Sequence, residues 1–324
     1  MKTTKKLLLG LFCVSAVAGL ASCEPKISDE EHLAAVKASL VFPSLTEGIR
    51  TDFEIYPEID GVTITYASAN EDLLSFNEDF TLCTVKAQHL ENSMELTSFT
   101  ATFTYNDLTD TKKFNVKVLK AGKMVTVDEL NQYLITNGNI PTDSPTYAIK
   151  ARVAAKTTKS TLLYDGTGYI YAYKLADYEI GDYVYVDGSI SLYNGIIEFN
   201  SDTAYGSLYE DVPFELPEFT PVKYNKFTID DLLGVSSKPT FTGMMVSFTG
   251  KVIYSSDGKY INFELNNIDT GKVQGSVVSP TEEVSALLDK AVEEYEGKCT
   301  IVGYALYKSG GKYVNLIVTD VIFA

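Results

Sequence analysis

The chain has 324 residues, 45% hydrophobic and 22% charged, with 10 Pro and 22 Gly. This is a globular composition, which excludes a disordered, collagen-like or disulfide-framework chain and leaves room for two or three domains. Lys and Arg number 27 against 43 Asp and Glu, a formal net charge of -16. Such a balance repels polyanions and argues against a nucleic-acid groove or an anionic membrane surface as partner.

Met1, Lys2, Lys5 and Lys6 precede an apolar run from Leu7 to Ala21. The run is shorter than the ~20 residues that a bilayer needs, so it reads as a signal peptide, residues 1–22. It closes on Leu20-Ala21-Ser22-Cys23, which resembles the lipobox of bacterial lipoproteins at all four positions. The resemblance implies cleavage before Cys23, a diacylglyceryl thioether on its sulfur, and a short tether, 23–27, holding the protein to a membrane of the bacterial cell envelope on its extracytoplasmic side.

The first unit, 28–121, opens with Ser28-Asp29-Glu30-Glu31, a capping box ahead of Leu33, Val36 and Leu40 at helical spacing. The period then changes to two. Val62, Ile64 and Tyr66 alternate with threonines, as do Phe99, Ala101, Phe103 and Tyr105, and Phe114, Val116 and Val118 repeat the pattern. Short alternating strands predict a β-sandwich. The helical opening, Val62 to Asn70, and the last strand Phe114 to Leu119 resemble the reduced type of bacterial Ig-like domain, in which a Trp usually stands at the position of Tyr66. That family implies a spacer or adhesion role and no catalytic residues.

The second unit, 124–212, and the third, 222–324, share an opening, Thr126-Val127-Asp128-Glu129-Leu130 and Thr228-Ile229-Asp230-Asp231-Leu232, in which Thr126 or Thr228 can cap a short helix. Between them Val212 to Pro221 reads as a linker, placed at 213–221. The third unit predicts strands at 245–253, 260–265 and 273–278, then a helix whose start is marked by Ser279-Pro280-Thr281-Glu282, then strands at 299–307 and 313–323. Three strands, one helix and two strands is the order of an OB-fold barrel. The second unit repeats it at 147–155, 161–164, 168–173, 183–192 and 196–199, with the helix shrunk to Leu175 to Ile180. Tyr164 to Tyr173 and Gly181 to Gly195 resemble the OB domains found beside nuclease domains in secreted bacterial proteins. The expected fold is therefore mainly β: an Ig-like β-sandwich plus two tandem OB-fold barrels after a lipoprotein signal peptide.

Catalytic material is sparse. His32 and His89 sit in no motif, and neither a phosphate-cradling Gly loop nor a Cys-x-x-Cys pair occurs. Cys83 and Cys299 lie in strand-like text of different units and are expected as small core residues. No metal or cofactor is expected, and no enzyme.

Ten tyrosines fall between positions 164 and 209. In Tyr169 to Tyr173 and Tyr183 to Val186 they alternate with aliphatics, so strand periodicity places aliphatics on one face and rings on the other. The rings serve either as packing between units or as an aromatic platform of Tyr169, Tyr171, Tyr183 and Tyr185 for a glycan or protein ligand. The function expected is a lipid-anchored, non-catalytic binding module. A nucleic-acid-binding accessory of an exported nuclease system and a purely structural surface spacer are the alternatives.

Overall fold

The computed structural model describes residues 27–42, 45–201, 203–208, 213–218, 221–223, 243–265, 275–309 and 313–323. The signal peptide, the lipobox and the Thr228 to Leu232 opening lie outside these residues.

Helix α1, Asp29–Ser39, starts as expected. The Ser28 hydroxyl accepts the Glu31 N–H, and the Glu31 carboxylate accepts the Ser28 N–H. Seven strands follow: β1 (Phe53–Glu54), β2 (Glu58–Ile59), β3 (Val62–Ser68), β4 (Leu74–Phe76), β5 (Leu82–Val85), β6 (Met94–Tyr105) and β7 (Leu108–Leu119). They form two sheets, β2-β3-β6-β7 and β1-β5-β4, with one shared core. The period-two residues Val62, Ile64 and Tyr66 all point into it. Phe99 is the hub, stacked on Phe114 at 5.0 Å and edge-on to Phe76 at 5.5 Å. Tyr66 packs on Phe76 and Phe80 while its hydroxyl donates to the Tyr56 carbonyl at 2.9 Å.

The first barrel comprises β8 (Lys123–Met124), α2 (Val127–Asn137), β9 (Tyr147–Lys156), β10 (Thr161–Tyr164), β11 (Tyr169–Ala172), β12 (Tyr183–Gly188), β13 (Ile190–Tyr193), β14 (Ile196–Phe199) and β15 (Ala204–Ser207). The expected single strand 183–192 is in fact two, broken at Ser189. The break lets one half pair with β9 and the other with β14. The fifth strand is split likewise, β14 lying parallel to β11 and β15 antiparallel to β12.

The second barrel is simpler: β16 (Val222–Lys223), β17 (Met244–Tyr254), β18 (Ile261–Leu265), β19 (Gly275–Val277), α3 (Glu282–Glu294), β20 (Lys298–Ser309) and β21 (Tyr313–Phe323). Its order is β17-β18-β19-β21-β20, closed by β20 pairing back to β17, with β19 parallel to β21. Numbering the barrel strands one to five gives 1-2-3-5-4-1, the OB-fold order, and the first barrel follows the same path through its broken strands. Each barrel is preceded by a two-residue strand parallel to its first strand, β8 on β9 and β16 on β17, which the sequence reading missed.

Two local expectations change. The connection Leu175 to Ile180 is not helical; α2, which precedes the first strand, instead sends Val127, Leu130 and Leu134 into the first barrel's core, as α3 sends Val284, Leu288 and Ala291 into the second. Helix α2 is docked by Asp165, whose carboxylate accepts the Val127 N–H at 2.7 Å as well as the turn amides of Thr167 and Gly168. The cap of α3 is Thr281, whose hydroxyl accepts the Val284 N–H, and not Ser279. Ser279 sits at φ +33 and its carbonyl accepts the Thr158 N–H of the first barrel, so the chain is still turning there. Cys83 and Cys299 are buried in separate cores, and burial pushes both thiols up, that of Cys299 to about 11.

Candidate functional site

The alternation on β11 and β12 works as expected on its inner side: Ile170, Ala172, Val184 and Val186 enter the first barrel's core. The outer side is not an open aromatic platform. Tyr171 is 6% exposed and lies in an apolar layer with Leu162 and Ile196 of the first barrel and Tyr304, Leu306 and Ile317 of the second. Tyr169 is half-buried, its ring 4.8 Å from Tyr164 and 5.6 Å from Tyr304, and burial pushes its phenol up. Gly243 crosses that ring so closely that a Cβ there would fall 2.2 Å from it, and its φ of +94 is one that glycine takes without strain.

Tyr183 and Tyr185 are diverted differently. The Arg152 guanidinium lies 3.5 Å from the centroid of the Tyr183 ring and covers it. Arg152 is itself buried, donating to the carbonyls of Phe214 and Gly181 and pairing with Glu215 at 2.8 Å. Residues 213–218, read from sequence as part of a linker, are thereby held against the first barrel, with the Phe214 ring edge-on to Tyr164 at 5.9 Å. Tyr185 points toward the sandwich and donates to Asp187 at 3.0 Å. The four tyrosines are thus brought together on no common exposed face. The physical reason is that the outer face of β10 and β11 is apolar enough to be buried by a second barrel.

The equivalent face of the second barrel is polar: Asn262 and Ser276 are half-buried and Asn315 is buried. Asn262, Ser276 and Asn315 are in register across β18, β19 and β21, facing outward because Phe263, Val277 and Val314 face in. The Ser276 hydroxyl donates to the Asn315 amide oxygen at 3.1 Å, and the Asn315 amide donates to Ser309 and to the Tyr313 carbonyl. Tyr260 and Tyr313 flank this row and are 61% and 45% exposed. Tyr254, also exposed, turns instead to donate to Asp289 of α3. The row is thus neutral and polar, with its buried amide held by neighbouring groups and two exposed rings beside it.

A cleft of about 510 Å³ separates the sandwich from the first barrel, lined by Arg50, Asp52, Leu82, Val85, Met124 and Tyr185 among others. Beside it Asp187 is fully buried. Its carboxylate accepts the Gly122 N–H at 2.6 Å and the Tyr185 hydroxyl, and lies 3.9 Å from Arg50 of the sandwich. Thr51 and Gly206 also meet here, so closely that a Cβ on Gly206 would lie 2.4 Å from the Thr51 hydroxyl. Asp187 was missed by sequence reading; its one signal is a carboxylate in the otherwise apolar strand text Val184 to Gly188. His32 lies on α1 with its ring 4.7 Å from Tyr105 and its Nε2 2.9 Å from the Asp60 carbonyl.

No protein-family model matches this chain, and no curated protein matches it. Among solved structures, one described as "Structure and Conformational Change of a Replication Protein A Heterotrimer Bound to ssDNA" is similar at 12% identity and a TM-score of 0.25, over 56% of this chain and 51% of that one. The chain thus spans about half the length of that neighbour. Superposition at this level carries no argument about ligand; the barrel assignment rests on strand order and register.

Proposed function

We propose that the chain is a lipid-anchored, non-catalytic protein of the bacterial cell envelope, in which the sandwich and the first barrel form a stem and the second barrel presents the ligand face. One observation carries this reading: the outer face of β10 and β11 is apolar and buried by the second barrel, while the matching row on the second barrel is polar, Asn262, Ser276 and Asn315, with the exposed rings of Tyr260 and Tyr313 beside it. The resemblance of the sandwich to bacterial Ig-like spacers and the lipobox ending at Cys23 fit a protein held out from a membrane. The ligand class that suits the row is a neutral glycan, because the net charge of -16 opposes a phosphodiester. That also ranks the nuclease-accessory reading below the glycan and spacer readings.

The test is a glycan array probed with the processed protein, followed by titration of the hit. Tyr260→Ala and Tyr313→Ala are each expected to weaken binding about tenfold, equivalent to ~1.4 kcal/mol, with little dependence on salt. An array without a hit, or a hit indifferent to both substitutions, leaves the stem with no ligand face and favours the spacer.

Anchoring is tested separately by detergent phase partitioning. The wild-type protein is expected in the detergent phase, and Cys23→Ala is expected to accumulate as unprocessed precursor. Recovery of a wholly soluble wild-type protein with another mature terminus would remove the anchor from the proposal.

A further inference from the structure

The cleft between the sandwich and the first barrel is held open by the contacts that join the two units. The Gly122 N–H reaches the Asp187 carboxylate at 2.6 Å, the Arg50 Nε donates to the Lys120 carbonyl at 3.1 Å, and Thr51 lies against Gly206. Arg50, Thr51 and Gly122 also line the cleft. A space of about 510 Å³ pinned in this way is preformed, and a seam between two units is where small-molecule sites are commonly built.

Both units supply its walls. On the barrel side Tyr185 and Lys150 stand directly opposite each other on β12 and β9, facing outward because Val184, Val186, Ile149 and Ala151 face into the core. Met124 of β8 and Leu208 extend that wall, and Leu82 of β5 stands on the sandwich side. The Arg50 side chain is 19% exposed, and the fully buried Asp187 lies 3.9 Å from its Nε. The Lys120 carbonyl and Asp187 both act at Nε, so these two contacts fix the guanidinium by one edge and do not consume its Nη groups. Among the described lining residues two cations, Arg50 and Lys150, accompany one carboxylate, Asp52, which accepts the Val85 N–H at 2.7 Å. That reverses the balance of a chain with 27 basic and 43 acidic residues.

We propose that the cleft binds a small monocarboxylate with an aromatic or aliphatic body, its carboxylate on the Nη edge of Arg50 and its body against Leu82, Met124, Leu208 and the Tyr185 ring. A guanidinium fork matches a carboxylate with two parallel hydrogen bonds. Phosphate fits the same fork, but the charges of Asp52 and Asp187 oppose a dianion. Burial, and then the Asp187 charge, push the Tyr185 phenol up, so it stays protonated and adds no negative charge. Among the described residues none of the second barrel lines this cleft, so the site is independent of what that barrel binds.

The full processed protein is titrated calorimetrically with cinnamate, with cinnamamide as the uncharged isostere, and with inorganic phosphate. Cinnamate is expected to bind saturably with a sub-millimolar Kd and phosphate not to saturate. The amide is expected to bind at least about tenfold more weakly, as loss of a charge-assisted pair implies. Arg50→Gln is expected to weaken cinnamate by about the same tenfold factor. Because Arg50 also joins the units, a second variant separates binding from folding. Met124 is 53% exposed, and Met124→Trp fills the cleft; it is expected to abolish binding with the melting temperature unchanged. Absence of saturable cinnamate binding in the wild type, equal affinity for acid and amide, phosphate binding as tight as cinnamate, or full affinity in Met124→Trp would overturn the proposal.

Discussion

Tyr171→Ala is expected to destabilise the barrel pair by about 4 kcal/mol, the range for truncating a large buried aromatic ring. The ring sits in the layer shared by Leu162, Ile196, Leu306 and Ile317, and its hydroxyl meets those of Ser160 and Thr157 in the turn after β9. Removing it leaves a cavity between the two barrels, which cannot collapse around it without moving as bodies. Urea denaturation is expected to shift to a lower midpoint and to lose its single transition for residues 124–324, the barrels then unfolding separately. Tyr171→Phe keeps the ring and is expected to cost only about 1 kcal/mol, the worth of the lost hydroxyl contacts. A loss below 1 kcal/mol for the alanine variant, with cooperativity intact, would show that the seam is not a stabilising interface.

Asp187→Ala is expected to cost about 3 kcal/mol, as does breaking a buried, hydrogen-bonded charge pair elsewhere. The substitution strips acceptors from the Gly122 N–H and the Tyr185 hydroxyl and removes the carboxylate beside Arg50, whose Nε keeps its bond to the Lys120 carbonyl. The clearest readout is hydrogen exchange at Gly122. Its amide is expected to be protected in the wild type and to exchange rapidly in the variant, with new protease cleavage between residues 120 and 124. Protection that survives the substitution would mean that β8 pairing alone holds the junction. Lys123 donates its N–H to the Thr146 carbonyl and would be the group responsible.

Much of the fold was legible because it is written in short-range pattern. The Ser28 and Thr126 caps each precede a Glu three residues on, and both capping boxes form. The alternation in Val62 to Tyr66 and in Phe99 to Phe103 places those side chains in the sandwich core as a period of two requires. The strand–helix–strand order of the third unit yields the closed barrel. The split of β12 from β13 was not legible, since nothing in Asp187-Gly188-Ser189-Ile190 says that the strand must leave one neighbour for another.

The candidate site shows the boundary more sharply. Local sequence by itself determined which tyrosines leave the barrel core, because alternation decides the face of each residue in a strand. What lies against that face was decided only by tertiary structure. Tyr169 and Tyr171 are covered because β20 and β21, more than a hundred residues later in the chain, present Tyr304, Leu306 and Ile317 to them. Tyr183 is covered by Arg152 from the neighbouring strand, and Tyr185 is turned by Asp187 toward a sandwich arginine. Alternation is a property of one strand's backbone geometry, whereas burial depends on the complementarity of two surfaces that no single stretch of sequence contains.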